Sequence, residues 1–287
     1  MGKIIKTVLV TGGTGYLGSR LVEKLLLNDY HVCVVKREST NIEQLKNLSK
    51  ELTFYNNDEE GLATLFKHNT VDLVIHTATA YGRKGESVHQ IKATNLDFPF
   101  LLLNECIKNN VPYFINTGTS LPFLTNQYAL FKNQFSECLQ FFNSDITSVN
   151  ILLEHFFGPG DDESKFITGM INKMKSNVPE IELTAGTQIR DFIFIEDVLD
   201  AYFVVIKNIE TFIGYVNLPL GSGQGITIRE IVEFIRELSQ SSSVLKFGAV
   251  KMRDNELMKS DADISMLNKL GWNPKYNLIE GLKLTLS

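Results

Sequence analysis

The chain has 287 residues, 44% of them hydrophobic and 21% charged, with a formal net charge of -5. That length supports one large α/β domain and a smaller second lobe. The mildly acidic balance excludes a broad basic surface for nucleic acid, and no apolar run is long enough to span a bilayer.

The first ten residues, Met1–Val10, run straight into a strand-like segment with no cleavage-site pattern, so no signal peptide is expected. The spacing predicts strands at Ile5–Val10, His31–Lys36, Leu52–Tyr55, Val71–Thr77, Val111–Asn116 and Thr147–Leu153. Helices are predicted between them, at Tyr16–Asn28, Ile42–Lys50, Glu59–His68, Val88–Asn109 and Asn126–Phe142. The strands are almost wholly apolar rather than alternating, which suits a parallel sheet covered on both faces. Strand–helix alternation with short connections points to βαβ units and a Rossmann-type doubly wound α/β fold.

Past Gly158 the regularity fades. Gly158-Pro159-Gly160-Asp161-Asp162 is a dense loop signal, followed by a helix at Glu163–Lys175 and a short strand at Ile181–Leu183. Arg190–Ile195 reads as a strand leading into a helix near Glu196–Lys207. Thr227 with Glu230 three residues on resembles a capping box that opens another helix. A dinucleotide-binding domain is expected over 1–158 plus 190–212, and a small substrate lobe over 159–189 plus 213–287. The three cysteines, Cys33, Cys106 and Cys138, have no metal-ligand spacing, so reduced thiols in a cytoplasmic protein and no metal site are expected.

Thr11-Gly12-Gly13-Thr14-Gly15-Tyr16-Leu17-Gly18 follows the first strand and opens the first helix. Gly12 permits the tight turn, Gly15 lets backbone approach a pyrophosphate, and Gly18 lets helix and strand pack closely. The free N–H groups of the helix start favour phosphate, so Thr14, Tyr16 and Leu17 join the expected cofactor loop. The second strand ends in Lys36-Arg37, where an acidic residue would accept from a ribose 2′-hydroxyl. Two cations there suit a 2′-phosphate, so NADPH is expected over NAD(H). Asp58, after the third strand, is placed to accept from the adenine amino group. Ala78 and Thr79, after the fourth strand, line the cleft at the strands' carboxyl ends, where open α/β sheets bind ligands. His76 reads as a packed strand residue.

Tyr128 and Lys132 stand one helical turn apart on one face, and Thr119 follows the fifth strand. A free tyrosine, with a pKa of about 10, exchanges protons sluggishly at neutral pH. An ammonium beside it is expected to lower that pKa, while Thr119 hydrogen-bonds the reacting oxygen. Ser120 is the alternative hydroxyl, and Thr117 is a strand-end residue on the cofactor side. Asn95, a polar amide amid an apolar helix, needs partners; it is expected among the cofactor-binding residues, bonding backbone near the catalytic strand.

TGGTGYLG, the Tyr128/Lys132 pair and RDFIFIEDV together resemble the extended short-chain dehydrogenase/reductases of the sugar-nucleotide epimerase/dehydratase/reductase group, over nearly the whole chain. AYGR from Ala80, GTSLP from Gly118, LEHFFG from Leu153 and RDNELM from Arg253 resemble the CDP-paratose and CDP-abequose synthase branch, as does the short stretch between Thr119 and Tyr128. The resemblance implies reduction of the C4 ketone of a CDP-4-keto-3,6-dideoxyhexose with NADPH, in deoxysugar and O-antigen polysaccharide synthesis. It also implies nucleotide-sugar contacts for Arg190, Arg253 and Glu256, a phosphate-facing Lys165, and His155 and Phe156 beside the nicotinamide. Arg83 lies in the loop that faces the sugar.

Epimerisation at C4 uses the same three residues with a retained cofactor and is the second reading. A non-catalytic dinucleotide-binding protein is the third; it would need only the glycine loop. Dehydration is disfavoured, because Thr119 is followed by Ser120 and Leu121 rather than by the acidic pair of dehydratases. Homodimerisation through the fourth and fifth helices is usual in the group, and Phe98, Phe100, Leu101, Leu102 and Leu103 suit either that interface or the domain's own core.

Overall fold

Val8, Leu9 and Val10 have no exposed surface, as a strand covered on both faces requires. The computed structural model describes residues 5–254 and 256–287, so the expectations on Met1–Ile4 and on Asn255 lie outside the described residues. In chain order the elements begin β1 (Thr7–Thr11), α1 (Tyr16–Leu26), β2 (His31–Lys36), β3 (Thr53–Asn56), α2 (Glu59–His68) and β4 (Leu73–His76). They continue α3 (Val88–Lys92), α4 (Phe98–Lys108), β5 (Tyr113–Thr117), α5 (Gln127–Phe141), β6 (Thr147–Leu153) and β7 (His155–Phe157). Next come α6 (Phe166–Lys175), β8 (Glu180–Leu183), β9 (Ile189–Phe194), α7 (Ile195–Lys207), β10 (Tyr215–Leu220) and β11 (Gly225–Thr227). The chain closes with α8 (Ile228–Leu238), β12 (Val244–Phe247), α9 (Ser265–Lys269) and α10 (Leu278–Leu286). Two compact units result: Met1–Leu152 with Val205–Leu218, and Leu153–Val204 with Pro219–Ser287.

The first unit is built on a seven-stranded sheet of order β10-β6-β5-β4-β1-β2-β3. The β1–β2, β1–β4, β2–β3, β4–β5 and β5–β6 pairings are all parallel. This is the doubly wound Rossmann-type sheet that the strand–helix alternation predicts. The chain winds outward from β1 to β3, then returns to β4 and winds the other way. That reversal beside β1 opens a crevice at the strands' carboxyl ends, the ligand position of such folds. Leu9, Val74, Leu102, Leu103, Phe114, Phe135 and Leu139 belong to one core cluster with Cys33 and Cys106. Leu102 and Leu103 are therefore core residues, whereas Phe100 is 38% exposed. Burial pushes the Cys33 thiol up to about 11 and Cys106 higher still, so both are inert at neutral pH.

Two predicted helices differ from expectation. The stretch predicted as a helix over Ile42–Lys50 is a 3₁₀ helix over Glu43–Leu48. Ile42, Leu45 and Leu48 recur at exactly three residues, the period at which 3₁₀ side chains eclipse. The long helix predicted over Val88–Asn109 opens with a Ser87/Gln90 capping box and contains a π turn at Ala93–Asp97. No helix among the described residues is long and apolar enough to cross a membrane.

The second unit carries a three-stranded sheet, β11-β9-β7, and a parallel pair, β12-β8. α8 opens on the predicted Thr227/Glu230 capping box, and α10 opens on another formed by Asn277 and Glu280. Asp191 on β9 has no exposed surface. Its carboxylate accepts from Ser222 N (2.7 Å), Ser222 Oγ (2.6 Å), Gly223 N (3.0 Å) and Ala262 N (3.2 Å). Burial raises its pKa even against these four donors. Its role is to satisfy three backbone N–H groups of two different loops. Asp191→Ala is therefore expected to lose about 2–4 kcal/mol of stability, read as a fall in urea midpoint at unchanged slope.

Candidate functional site

The turn between β1 and α1 is closed by contact rather than by side-chain bonds. Gly12 has φ 70°, and a Cβ there would lie 2.5 Å from Ala78 N. A Cβ on Gly18 would lie 2.1 Å from Gly12 O. Gly15 N donates to Gly12 O at 2.9 Å, and Gly15 is the N-cap of α1 with no side chain to cap it. Leu17 is buried, and Thr14 and Tyr16 are partly exposed. The Arg20 guanidinium covers the Tyr16 ring at 3.9 Å. Backbone donors at an uncapped helix start, in a turn that excludes Cβ atoms, form a cradle that fits a dinucleotide pyrophosphate.

At the end of β2, Lys36 donates to the carbonyls of Arg37 and Glu38, each at 3.3 Å. Lys36 thus ties down its own turn, and Arg37 is the exposed cation of the two. Asp58, expected at the adenine amino group, also caps α2, its Oδ1 accepting from Gly61 N at 2.7 Å. An aspartate just before a helix start takes an unpaired N–H of the first turn, and that bond uses one of its two carboxylate oxygens here.

α5 opens on Asn126, whose side chain accepts from Ala129 N at 2.8 Å. Tyr128 and Lys132 then fall on one stripe. Lys132 is 2% exposed, and burial lowers its pKa from 10.5 to about 7. It has no carboxylate partner among the described residues. Fully buried His76 is held far below its ordinary pKa by burial and by the charge on Lys132. Its Nδ1 lies 2.6 Å from Thr11 Oγ1, and its ring packs against Phe98, Phe114 and Phe135. It is a packed strand residue, as the sequence suggests.

The Tyr128 hydroxyl hydrogen-bonds with the side chains of Thr119 and Thr79. Burial raises its pKa, and Thr119, Arg83 and Thr79 pull it down. The expectation that Lys132 lowers the tyrosine is not met: burial outweighs the pull of the two hydroxyls and the arginine. Thr119 is 7% exposed and its Oγ1 accepts from Leu121 N at 3.2 Å. Thr117 is the last residue of β5, and Ser120 sits partly exposed beyond Thr119.

Asn95 lies in the π turn with no exposed surface. Its Oδ1 accepts from Thr79 Oγ1 and Ala80 N, each at 3.1 Å, and its Nδ2 donates to Ala80 O at 2.8 Å. Asn95 thereby orients Thr79 toward Tyr128. Tyr81 packs on Tyr128 with ring centres 5.0 Å apart, and the Arg83 guanidinium lies 5.1 Å from the Tyr81 ring. Sequence reasoning missed Tyr81 and the second role of Thr79. The cue available was a hydroxyl and an aromatic together in the loop after β4.

In the second unit, Arg190 (8% exposed) pairs with Glu256 at 2.5 Å and donates to Ile189 O at 2.7 Å. These two residues, expected as separate nucleotide-sugar contacts, hold each other. Lys165 pairs with Asp161 at 3.0 Å and stands over the Phe156 ring at 3.7 Å. Glu154 accepts from Ser260 Oγ at 2.7 Å and lies 3.5 Å from His155 Nδ1. Arg253 is exposed.

Residues 8–216 match the model of the NAD-dependent epimerase/dehydratase family. The chain is 31% identical to the CDP-abequose synthase of Salmonella typhimurium over 96% of each chain. It is also 31% identical to that of Salmonella muenchen over 98% of this chain and 97% of the other. The crystal structure of UDP-glucose 4-epimerase from Thermotoga maritima, determined with UDP-glucose, is similar with a TM-score of 0.84 and 25% identity, over 98% of this chain and 97% of that one.

A buried lysine without a counter-charge opposes folding. Its lowered pKa means that the unfolded chain binds the extra proton between about 7 and 10.5, so this opposition is full below pH 7 and fades as pH rises. Lys132→Met is therefore expected to stabilise the protein at pH 6 by about 2–3 kcal/mol, with the gain shrinking toward pH 10. Chemical denaturation at several pH values measures it.

Proposed function

The chain belongs to the NAD-dependent epimerase/dehydratase family, and we propose that it is an NADPH-dependent reductase of the C4 ketone of a nucleotide-activated 4-keto-(3),6-(di)deoxyhexose, similar to the CDP-abequose and CDP-paratose synthases. It is an enzyme of nucleotide-sugar metabolism. The observation that carries the finer reading is a complete Thr119–Tyr128–Lys132 set in a chain matched end to end by two CDP-abequose synthases.

The nicotinamide cofactor, when bound, supplies the hydride. The uncapped Gly12–Gly18 turn would hold its pyrophosphate. Arg37 would face the 2′-phosphate, with Ala78 and Thr79 along the crevice and Lys132 at the ribose. Tyr128 gives its proton to the oxygen that becomes a hydroxyl at C4. The raised pKa keeps the phenol protonated through neutral pH, the form from which a reductase donates. Thr119 hydrogen-bonds that same oxygen and steadies the phenol. We assign the dinucleotide to the first unit and the sugar nucleotide to the second, with Arg190, Glu256, Lys165 and Arg253 on the diphosphate and ribose. Opening the Arg190–Glu256 pair would free one guanidinium for bidentate phosphate recognition. A cytoplasmic homodimer fits this reading, since Phe100 (38% exposed) and Phe141 (79%) leave apolar surface on α4 and α5.

Retained-cofactor C4 epimerisation is the second reading, supported by the likeness to the Thermotoga maritima UDP-glucose 4-epimerase. The assay that separates the two is loss of NADPH absorbance with CDP-4-keto-3,6-dideoxyglucose, alongside the dTDP- and GDP-4-keto-6-deoxyhexoses. Stoichiometric oxidation is expected, falling about 10²–10⁴-fold in Tyr128→Phe. No oxidation, with NAD retained through purification, would transfer the assignment to an epimerase. Arg37→Ala is expected to cut kcat/KM for NADPH about 10–100-fold while leaving that for NADH within about twofold.

A further inference from the structure

Beneath the stripe of α5 that carries Tyr128 and Lys132 lies a polar cluster to which the proposed reaction assigns no role. Asn116 on β5 and Asn150 on β6 are register partners, 0% and 1% exposed. Asn150 Oδ1 accepts from Asn116 Nδ2 at 2.7 Å. Its Nδ2 donates to Ser136 Oγ on α5 at 3.0 Å and to Asn217 Oδ1 on β10 at 2.8 Å, and lies 3.2 Å from the Tyr215 hydroxyl. Ser136 and Tyr215 share a further hydrogen bond, and Tyr215 donates to Asn217 Oδ1 at 2.7 Å. Both ends of the Asn150 amide are bonded, while Asn116 Oδ1 has no partner among the described residues; a buried amide bonded at both ends favours one arrangement of its neighbours.

That arrangement joins the two elements that bear the catalytic set. Ser136 is one turn beyond Lys132 and two beyond Tyr128 on the same stripe of α5. Two residues past Asn116, the chain reaches Gly118, directly before Thr119. Gly118 N donates to Ile151 O at 2.7 Å, and a Cβ on Gly118 would stand 2.5 Å from Asn150 Oδ1. Asn150 thus bounds the Thr119 strand end on one side and bonds the Tyr128–Lys132 helix on the other.

We propose that Asn150 is a positioning residue: through Asn116 and Gly118 on one side and Ser136 on the other, it fixes the spacing between Thr119 and the Tyr128–Lys132 face. The proposal rests on reading those three residues as an acid–base set. The hub has a built-in control. Asn217 bonds Asn150 and Tyr215 but lies on β10, so its loss weakens the cluster without removing the bond from Asn150 to α5.

The experiment compares Asn150→Leu, Ser136→Ala and Asn217→Ala in the full chain by three readouts. These are kcat and KM in the NADPH assay, thermal melting, and titration of the Lys132 ε-carbon by 13C NMR in the substrate-free protein. Asn150→Leu and Ser136→Ala are expected to lower kcat about 10-fold or more with KM within about twofold, as misplacement by a fraction of an ångström does. In the same two variants the Lys132 midpoint should rise by about one unit as water reaches the shifted helix. Asn217→Ala should lower the melting temperature yet leave kcat and the Lys132 midpoint unchanged. The proposal is overturned if kcat follows melting temperature across all three, or if the midpoint does not move in Ser136→Ala. Should Asn150→Leu fail to fold, Ser136→Ala against Asn217→Ala decides. If the wild-type protein turns over none of the ketosugars, the reductase reading fails, and the Lys132 titration still decides the positioning role.

Discussion

An ammonium buried without a counter-charge is the constraint around which the first unit is organised. Lys132 is 2% exposed, and burial alone brings its pKa to about 7. In a structural helix such a position would be leucine or methionine, since desolvating a charge opposes folding by several kcal/mol, on the order of the shift itself. Keeping lysine there requires that the surrounding structure cannot relax to expose it. The Asn126 cap fixes where α5 begins, Phe131 and Phe135 bury its inner side, and the amide of Asn150 pins the next turn through Ser136. Lys132 is thereby held in place, buried.

The same logic holds for the phenol beside it. Tyr128 is raised by burial and drawn back by Thr119, Arg83 and Thr79, so its acidity is a balance of opposed terms rather than the gift of one cation. Thr79 is held by Asn95, and Asn95 reaches Thr79 and Ala80 from a π turn. Inserting an extra residue in a helix turn sacrifices regular bonding, and such turns concentrate at functional sites for that reason. The loop after β4, the π turn and the start of α5 are thus linked through Asn95, Thr79 and Tyr128.

Local signals carried much of the fold. The apolar runs of β1, β2, β5 and β6, the glycine turn and the Thr227/Glu230 box are each written within a few neighbouring residues, and each forms as read. The 3₁₀ segment at Glu43–Leu48 is legible too, in the three-residue recurrence of Ile42, Leu45 and Leu48, which is not the α-helical period. Strands β7 and β11 are three residues each and β12 four, too short for a periodic signal, while β10, with Asn217 and Pro219 in it, carries no continuous apolar run; such strands draw their stability from distant partners, as β11 does from β9. Asp58 shows the reverse case, where a purely local bond, the cap of α2, is added to a residue singled out by its position after β3.

What the sequence by itself determined is the set of chemical groups and their local geometry: a helix start without a capping side chain, and a tyrosine and a lysine at the spacing that shares a helix face. These follow from backbone sterics and helical period, which act over a few residues. What only the tertiary structure decided is the state of those groups. Whether Lys132 is charged, which hydroxyls hold Tyr128, and that Arg190 and Glu256 hold each other all depend on residues tens of positions apart. Desolvation and hydrogen bonding fall off within a few ångströms in space, and folding alone sets which residues come within that range.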